Sequence, residues 1–244
     1  KNLSYYFLIF CKSVSAFAST DQSTSYDLSN VRIGIGIAGT GWVSGEHIKS
    51  YQKHKDTEVV AIWNRTKENA ERKAQELGLT NAKIYDSYEA MLEDPNVQAI
   101  SLCTPPHTHS KETIQAAEAG KHILIEKSIA NDPKSLGAMQ RAVEKAGVRT
   151  VVSFVLHWNL EFMWIKKMLE QQAIGKIFYA EVDYWHNIGP QYVQFHWNRK
   201  REVAGSVLLS AGCHAVDALR WFMGGEVIEV TQYATHGKGK EFAA

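Results

Sequence analysis

A chain of 244 residues that is 45% hydrophobic and carries a formal charge of +1 is long enough to bury a large core and to hold more than one domain. Its Lys and Arg are spread through helical segments with no basic stripe, which argues against a nucleic-acid partner, and no segment reaches the roughly 20 apolar residues of a membrane span. Cys11, Cys103 and Cys213 are widely spaced with no Cys-x-x-Cys pair, so they read as core thiols of a reducing, cytoplasmic compartment and not as a disulfide framework or a zinc site.

Residues 1–30 differ from the rest, an aromatic and apolar run followed by a Ser/Thr-rich polar stretch, and read as a disordered leader outside any domain. Ala16-Phe17-Ala18 resembles a small-residue cleavage site, which keeps open a secreted or periplasmic alternative. Lys12, which interrupts the apolar run, and Lys1 in place of a start methionine weigh against a signal peptide.

Residues 31–38 form an apolar, strand-like stretch, followed by Gly39-Thr40-Gly41-Trp42-Val43-Ser44 and then a helix-like stretch ending near His54. This order marks a dinucleotide site. The first glycine allows a sharp turn, the second lets backbone approach a pyrophosphate, and the helix that follows turns its open N–H groups and positive dipole end toward the phosphates. Small Ser44 in the third position lets helix and strand pack closely. The overlapping register from Gly34 to Gly39 is rejected, because it leaves only Val31, Arg32 and Ile33 for the strand.

Strand and helix signals then alternate: strand at 57–63, helix at 66–77, strand at 99–102, helix at 111–118, strand at 122–125, helix at 133–145 and strand at 149–154. The alternation predicts a parallel sheet with helices on both faces, an α/β Rossmann domain over residues 31–152, with ligands held beyond the carboxyl ends of the strands. Residues 153–244 change rhythm, with a helix at 160–172, a strand at 177–185, an aromatic-rich loop, a helix at 207–223 and a strand at 227–233. Two strands are too few for a stable sheet, so this second α/β domain reads as incomplete.

The residues after each strand carry the chemistry. Asn64-Arg65-Thr66 falls where a carboxylate would bond the adenosine ribose of NAD. Two readings stand: Asn64 and Arg65 accommodate a 2′-phosphate, which favours NADP, or Asn64 and Thr66 cap the next helix. In Cys103-Thr104-Pro105-Pro106-His107-Thr108-His109, two prolines stop a strand and stiffen a turn suited to a flat cofactor ring. His107 and His109 lack further ligands, so they read as helix-entry residues and not as a metal site. The strand at 122–125 delivers Glu126-Lys127-Ser128 to the same edge.

Taken in order, Gly39 to Ser44, Thr104-Pro105-Pro106 with His109, Ala119-Gly120-Lys121-His122 leading to Glu126-Lys127, and Gly212-Cys213-His214 with Asp217 resemble the Gfo/Idh/MocA family of NAD(P)-dependent oxidoreductases. The resemblance covers residues 31–233. It implies a C-terminal α/β domain with an open, mostly antiparallel sheet, a homo-oligomer formed through that sheet, and sugars, cyclitols or related polyols as substrates. It makes Lys127 the catalytic lysine, which exchanges a proton with the substrate hydroxyl while hydride passes to or from the nicotinamide. An amine beside a cationic ring suits acid/base work. The cofactor would then rest on Gly39, Thr40, Gly41, Trp42, Val43, Asn64, Arg65, Thr104, Pro105, His109 and Glu126.

This sequence departs from the family in two places. Ser128 replaces the proline of the usual Glu-Lys-Pro, and Ser210 stands where an aspartate usually precedes the histidine by four residues. Positions 210, 214, 217 and 221 share one helical face, so His214 becomes the second catalytic group, with Ser210 and Asp217 toward the substrate. For Asp217 a simple pairing with Arg220 competes. Tyr184, His186 and Trp197 combine flat rings with polar groups, as a sugar-like ligand needs; the same rings would also serve a core or an interface. The leading function is hydride transfer between NAD(P) and a carbinol or carbonyl carbon of a polyol. The alternatives are a non-catalytic NAD(P)-binding sensor or scaffold, suggested by Ser128 and Ser210, and a glycoside hydrolase that works through transient oxidation.

Overall fold

A computed structural model describes residues 32–233; the expected leader at 1–30 and the final polar stretch lie outside the described residues. The chain divides into two compact units, one ending at Ser153 and the other beginning at Phe154.

The first unit is built on six strands: β1 (Ile33–Ala38), β2 (Thr57–Trp63), β3 (Lys83–Tyr85), β4 (Ala99–Leu102), β5 (His122–Ile125) and β6 (Thr150–Val152). All neighbours pair in parallel, in the order β3-β2-β1-β4-β5-β6. The chain therefore winds outward from β1 in one direction and returns to continue from β4 in the other. That reversal opens a crevice beyond the carboxyl ends of β1 and β4.

The intervening helices are α1 (Trp42–Lys53), α2 (Lys67–Glu76), α3 (Tyr88–Leu92), α4 (Pro106–Glu118) and α5 (Pro133–Ala146). Every residue of β1 is buried, as expected for a central parallel strand covered on both faces. Ile35, Ile37, Ile62, Ile100, Leu102, Ile123 and Leu124 form the core of the sheet, and Ile48 and Tyr51 pack α1 against it. Gly34 lies within β1, where a Cβ would meet the Asn96 carbonyl oxygen at 1.9 Å, so this glycine serves strand packing and not the nucleotide turn.

The end signals explain most boundaries. Asp132 accepts from the Ser135 N–H and caps α5, with Pro133 as its first residue, and Gly147 closes it at φ +65°. The sequence expectation for α4 began at 111, but the helix begins at Pro106, because a proline at the first helical position needs no donor and already holds a helical φ. The short β3 and α3, the latter capped by Ser87, complete the alternation.

The second unit begins with a 3-10 turn, Val155–Trp158, and continues through α6 (Leu160–Glu170), the short α7 (Phe195–Asn198) and α8 (Arg201–Ala204), a π turn at Leu208–Gly212 and α9 (Cys213–Met223). The helix expected over 207–223 is thus a π turn followed by an α-helix. The expected strands at 177–185 and 227–233 are not formed, and the open antiparallel sheet is absent among the described residues. A strand exists only by pairing its backbone with a neighbour, and neither segment has a ladder partner there. Their apolar side chains remain outside, with Phe178, Trp185, Ile228 and Tyr233 each more than nine-tenths exposed. Among the described residues no helix is long and apolar enough to cross a membrane.

Candidate active site

Backbone bonds carry the strand ends into one edge. Gly39 N–H donates to the Trp63 carbonyl at 2.9 Å, Cys103 N–H to Ala38 at 2.8 Å, Glu126 N–H to Leu102 at 3.1 Å and Ser153 N–H to Ile125 at 2.8 Å. Four loops thereby start from the same level of the sheet.

The glycine turn has the geometry its chemistry requires. Gly39 sits at φ +90°, and a Cβ there would lie 2.8 Å from the Cys103 carbonyl carbon and oxygen. Gly41, at the N-cap of α1, has φ −65°, and a Cβ there would meet nothing within 4 Å. One glycine is needed by the fold, whereas the other leaves room over the helix N-terminus. Ser44 is buried and its hydroxyl donates to the Gly41 carbonyl at 2.7 Å, closing the helix onto the turn. Thr40 and Val43 are half-buried, and Trp42 is 64% exposed at the mouth of the turn. The residues fit a dinucleotide: a turn only glycine tolerates, open space for a pyrophosphate, and unpaired helix N–H groups facing it.

At the end of β2 the side-chain Oδ1 of Asn64 accepts from Thr40 N–H at 3.3 Å, and its Nδ2 donates to the Thr66 backbone carbonyl at 3.0 Å. Asn64 thus braces the glycine turn. Thr66 occupies the N-cap of α2 without a side-chain capping bond, and Arg65 is exposed.

Beyond β4, Pro105 is the N-cap of α4, and the Thr104 hydroxyl bonds the buried carboxyl of Glu112, whose pKa burial pushes up. His109 is fully buried. Its Nδ1 lies 2.8 Å from the Ser128 carbonyl oxygen and its Nε2 2.8 Å from that of Thr104. Burial pushes its pKa down, so the neutral ring donates to one carbonyl at a time and ties together the loops after β4 and β5. Lys127 is half-buried, its N–H donates to Glu126 Oε2 at 3.2 Å, and the Lys127–Ser128 peptide is cis.

Below this edge lies a group the strand-end reading missed. His47 on α1 is wholly buried, with Nε2 2.9 Å from Glu126 Oε1 and Nδ1 2.8 Å from Ser101 Oγ. Cys103 Sγ lies 3.7 Å from both His47 Nδ1 and the Ser101 hydroxyl. Burial opposes charge on the ring, but the Cys103 sulfur and the Glu126 carboxylate outweigh it and raise its pKa to about 10. Burial would raise the Glu126 carboxyl, yet the bond and charge of His47 hold it below its ordinary value. The two shifts describe one buried imidazolium–carboxylate pair.

In the second unit His214 is buried, with Phe154 edge-on at 6.2 Å and Tyr184 stacked at 5.6 Å. Tyr184 also lies 5.8 Å from the His186 ring, which meets Tyr192 edge-on. Asp217 does not pair with Arg220, which bonds Glu226 at 3.1 Å; it pairs instead with His157 Nε2 at 2.7 Å. His157 is stacked on Trp221 at 4.2 Å. A π turn at 208–212 precedes α9, so Ser210 is buried within the turn while His214, Asp217 and Trp221 lie on the α-helical part. Trp197 is half-buried on α7. Among the described residues no cluster of three or more potential metal ligands occurs.

Residues 33–154 match the family described as oxidoreductase family, NAD-binding Rossmann fold, and residues 162–242 match the GFO/IDH/MocA C-terminal domain. Relatives include a myo-inositol 2-dehydrogenase of Thermotoga maritima, 27% identical over 80% of this chain and 56% of its own length. A D-glucoside 3-dehydrogenase of Escherichia coli is 27% identical over 78% of this chain and 54% of its own length. Among solved structures, the WlbA dehydrogenase of Bordetella pertussis in complex with NADH and UDP-GlcNAcA is 29% identical with a TM-score of 0.72, over 79% of this chain and 56% of that one. The chain spans about half the length of the curated relatives it matches. With both domain matches in sequence order and a parallel sheet whose β1 turn is shaped for a dinucleotide, the chain belongs to the Gfo/Idh/MocA family of oxidoreductases.

Proposed function

We propose that the protein transfers hydride between NAD(P) and a carbinol or carbonyl carbon of a sugar- or cyclitol-like polyol. The observation that carries this reading is the meeting, at one edge of a single sheet, of the Gly39–Gly41 turn, the Thr104-Pro105 loop and the Glu126-Lys127 strand end. The two named dehydrogenases among the relatives, one for myo-inositol and one for D-glucosides, support the substrate class.

Bound NAD(P) supplies or accepts the hydride. The glycine turn and the N-terminus of α1 hold its pyrophosphate, and Trp42 and Val43 border it. Asn64 keeps that turn in place, and exposed Arg65, with no carboxylate beside it, favours a 2′-phosphate and hence NADP. Thr104 and Pro105 form a wall of the crevice, with His109 fixing the backbone behind them. Lys127 takes the proton from the carbinol hydroxyl during oxidation and returns it during reduction. His214 is the second proton-handling group, and Tyr184, His186, Trp197, Ser210 and Asp217 contact the substrate, flat rings against C–H faces and polar groups against hydroxyls. His157 joins this set through its bond to Asp217.

The test is a panel of sugars and cyclitols offered to the nucleotide-loaded protein and followed at the nicotinamide absorbance. A substrate-dependent change supports the oxidoreductase. Nucleotide binding with no change on any substrate favours the sensor or scaffold, and cleavage of a glycoside without net change favours transient oxidation.

A further inference from the structure

We propose that His47 is a positioning residue whose imidazolium occupies the Glu126 carboxylate and so keeps that carboxylate from holding the proton that Lys127 must move. The proposal rests on the reading of Lys127 as the proton-transfer residue.

Both oxygens of Glu126 are engaged. Oε1 accepts from His47 Nε2 on the nucleotide-binding helix, and Oε2 accepts from the backbone N–H of Lys127. A carboxylate this buried needs a counter-charge, and it lies one residue from the lysine. Besides His47, the cation that acts on it is the Lys127 ammonium. A lysine paired in this way keeps its proton, which opposes its use as a base during oxidation. With His47 in place, the negative charge is answered from below and the lysine side chain is not the carboxylate's main partner.

The surroundings of His47 are consistent with a dedicated cation. From β4, Ser101 Oγ accepts from Nδ1–H, and Cys103 Sγ lies 3.7 Å away; from β5 comes Glu126, with Lys127 next to it. The charged residues of its own helix, Glu46 and Lys49, pair with one another at 2.9 Å on the exposed side. An apolar residue would pack α1 against the sheet as well as Ile48 and Tyr51 do. A doubly bonded imidazolium in that layer links the helix under the nucleotide to the strand end that carries Lys127.

The experiment has two readouts. Nitrogen-15 NMR of histidine-labelled protein reads the His47 ring directly, and both nitrogens should carry protons at and above about pH 7, with the titration of the ring moved downward in Glu126→Gln. A wild-type ring that is neutral at about pH 7 overturns the proposal, whatever the variants do. The second readout is the dependence of kcat on pH for oxidation. In His47→Asn its rise should move upward by about one pH unit, lowering kcat about tenfold at pH 7, while the dissociation constant for NADH or NADPH changes less than about threefold. The double variant His47→Asn/Glu126→Gln should bring the pH of the rise back toward that of wild type, whatever the level of kcat, because the unanswered carboxylate is gone. A fall in kcat with an unmoved profile and no recovery in the double variant overturns the proposal and leaves His47 a packing residue. If Lys127→Met retains turnover, the lysine assignment fails by itself, a result the NMR measurement does not share.

Discussion

The buried His47–Glu126 pair makes a quantitative prediction about stability. In the folded chain His47 titrates at about 10, against 6.5 for the free side chain. Folding therefore favours the protonated ring, and the gain is fully present below pH 6.5, shrinks as pH rises and is lost through about pH 10. Glu126 has the opposite linkage, since its lowered pKa gives stability that is present above the ordinary carboxyl range and lost only in acid. Between these limits Glu126→Gln removes one of the two groups that hold the proton on the ring, Cys103 being the other. At about 1.4 kcal/mol per pH unit the whole shift corresponds to roughly 5 kcal/mol near pH 6.5 and roughly 3 near pH 8, shared between Cys103 and Glu126, so the variant should be less stable by part of these amounts, with little difference near pH 10. The upper figure falls at the top of the range for breaking a buried pair, about 3–5 kcal/mol. Urea unfolding of both proteins at these pH values, followed by far-ultraviolet circular dichroism, gives the difference directly. A gap that stays constant with pH would refute the reasoning, because it would mean that the ring carries no proton the carboxylate stabilises.

Other consequences follow from the glycine turn and the helix face. Gly39→Ala adds a Cβ 2.8 Å from the Cys103 backbone at a positive φ, and should cost about 2–4 kcal/mol by thermal or urea unfolding. Gly41→Ala, with nothing within 4 Å, should leave stability unchanged and still weaken nucleotide binding about tenfold by filling the pyrophosphate's approach, as fluorescence titration with NADPH would show. Asn64→Glu places a carboxylate at the end of β2 and should shift the ratio of NADP to NAD affinity toward NAD; an unchanged ratio would end the ribose argument. Asp217→Asn breaks a half-buried pair with His157 and should cost less than about 1 kcal/mol in stability while raising KM for the polyol, so a purely thermal effect would remove Asp217 from the substrate site.

What was legible in the sequence was whatever depends on short-range pattern. The strand ending at Trp63 and the glycine turn after Ala38 are local signals, and both have the expected bounds. Pro105-Pro106 follows the end of a strand and is also the start of a helix, since proline suits both places. The strands at 177–185 and 227–233 failed for a different reason, as strand propensity specifies a backbone able to pair and does not supply the partner. The π turn is equally invisible, because Leu208–Gly212 has the composition of an ordinary helix, and it takes Ser210 out of the α-helix that carries His214 and Asp217. His47 lies on α1, away from the strand ends where a parallel sheet of this kind presents its ligand-binding residues. It lies with Ser44, Ile48 and Tyr51 on the buried stripe of α1, and a titratable residue on such a stripe was the signal available.

The most direct measurement is the turnover of Lys127→Met beside wild type, with the polyol found in the panel and the reaction followed at the nicotinamide absorbance. The account predicts loss of at least about a hundredfold in kcat with nucleotide affinity kept within a few fold, since the side chain moves a proton and does not hold the cofactor. Turnover that survives the substitution, with binding intact, would contradict it.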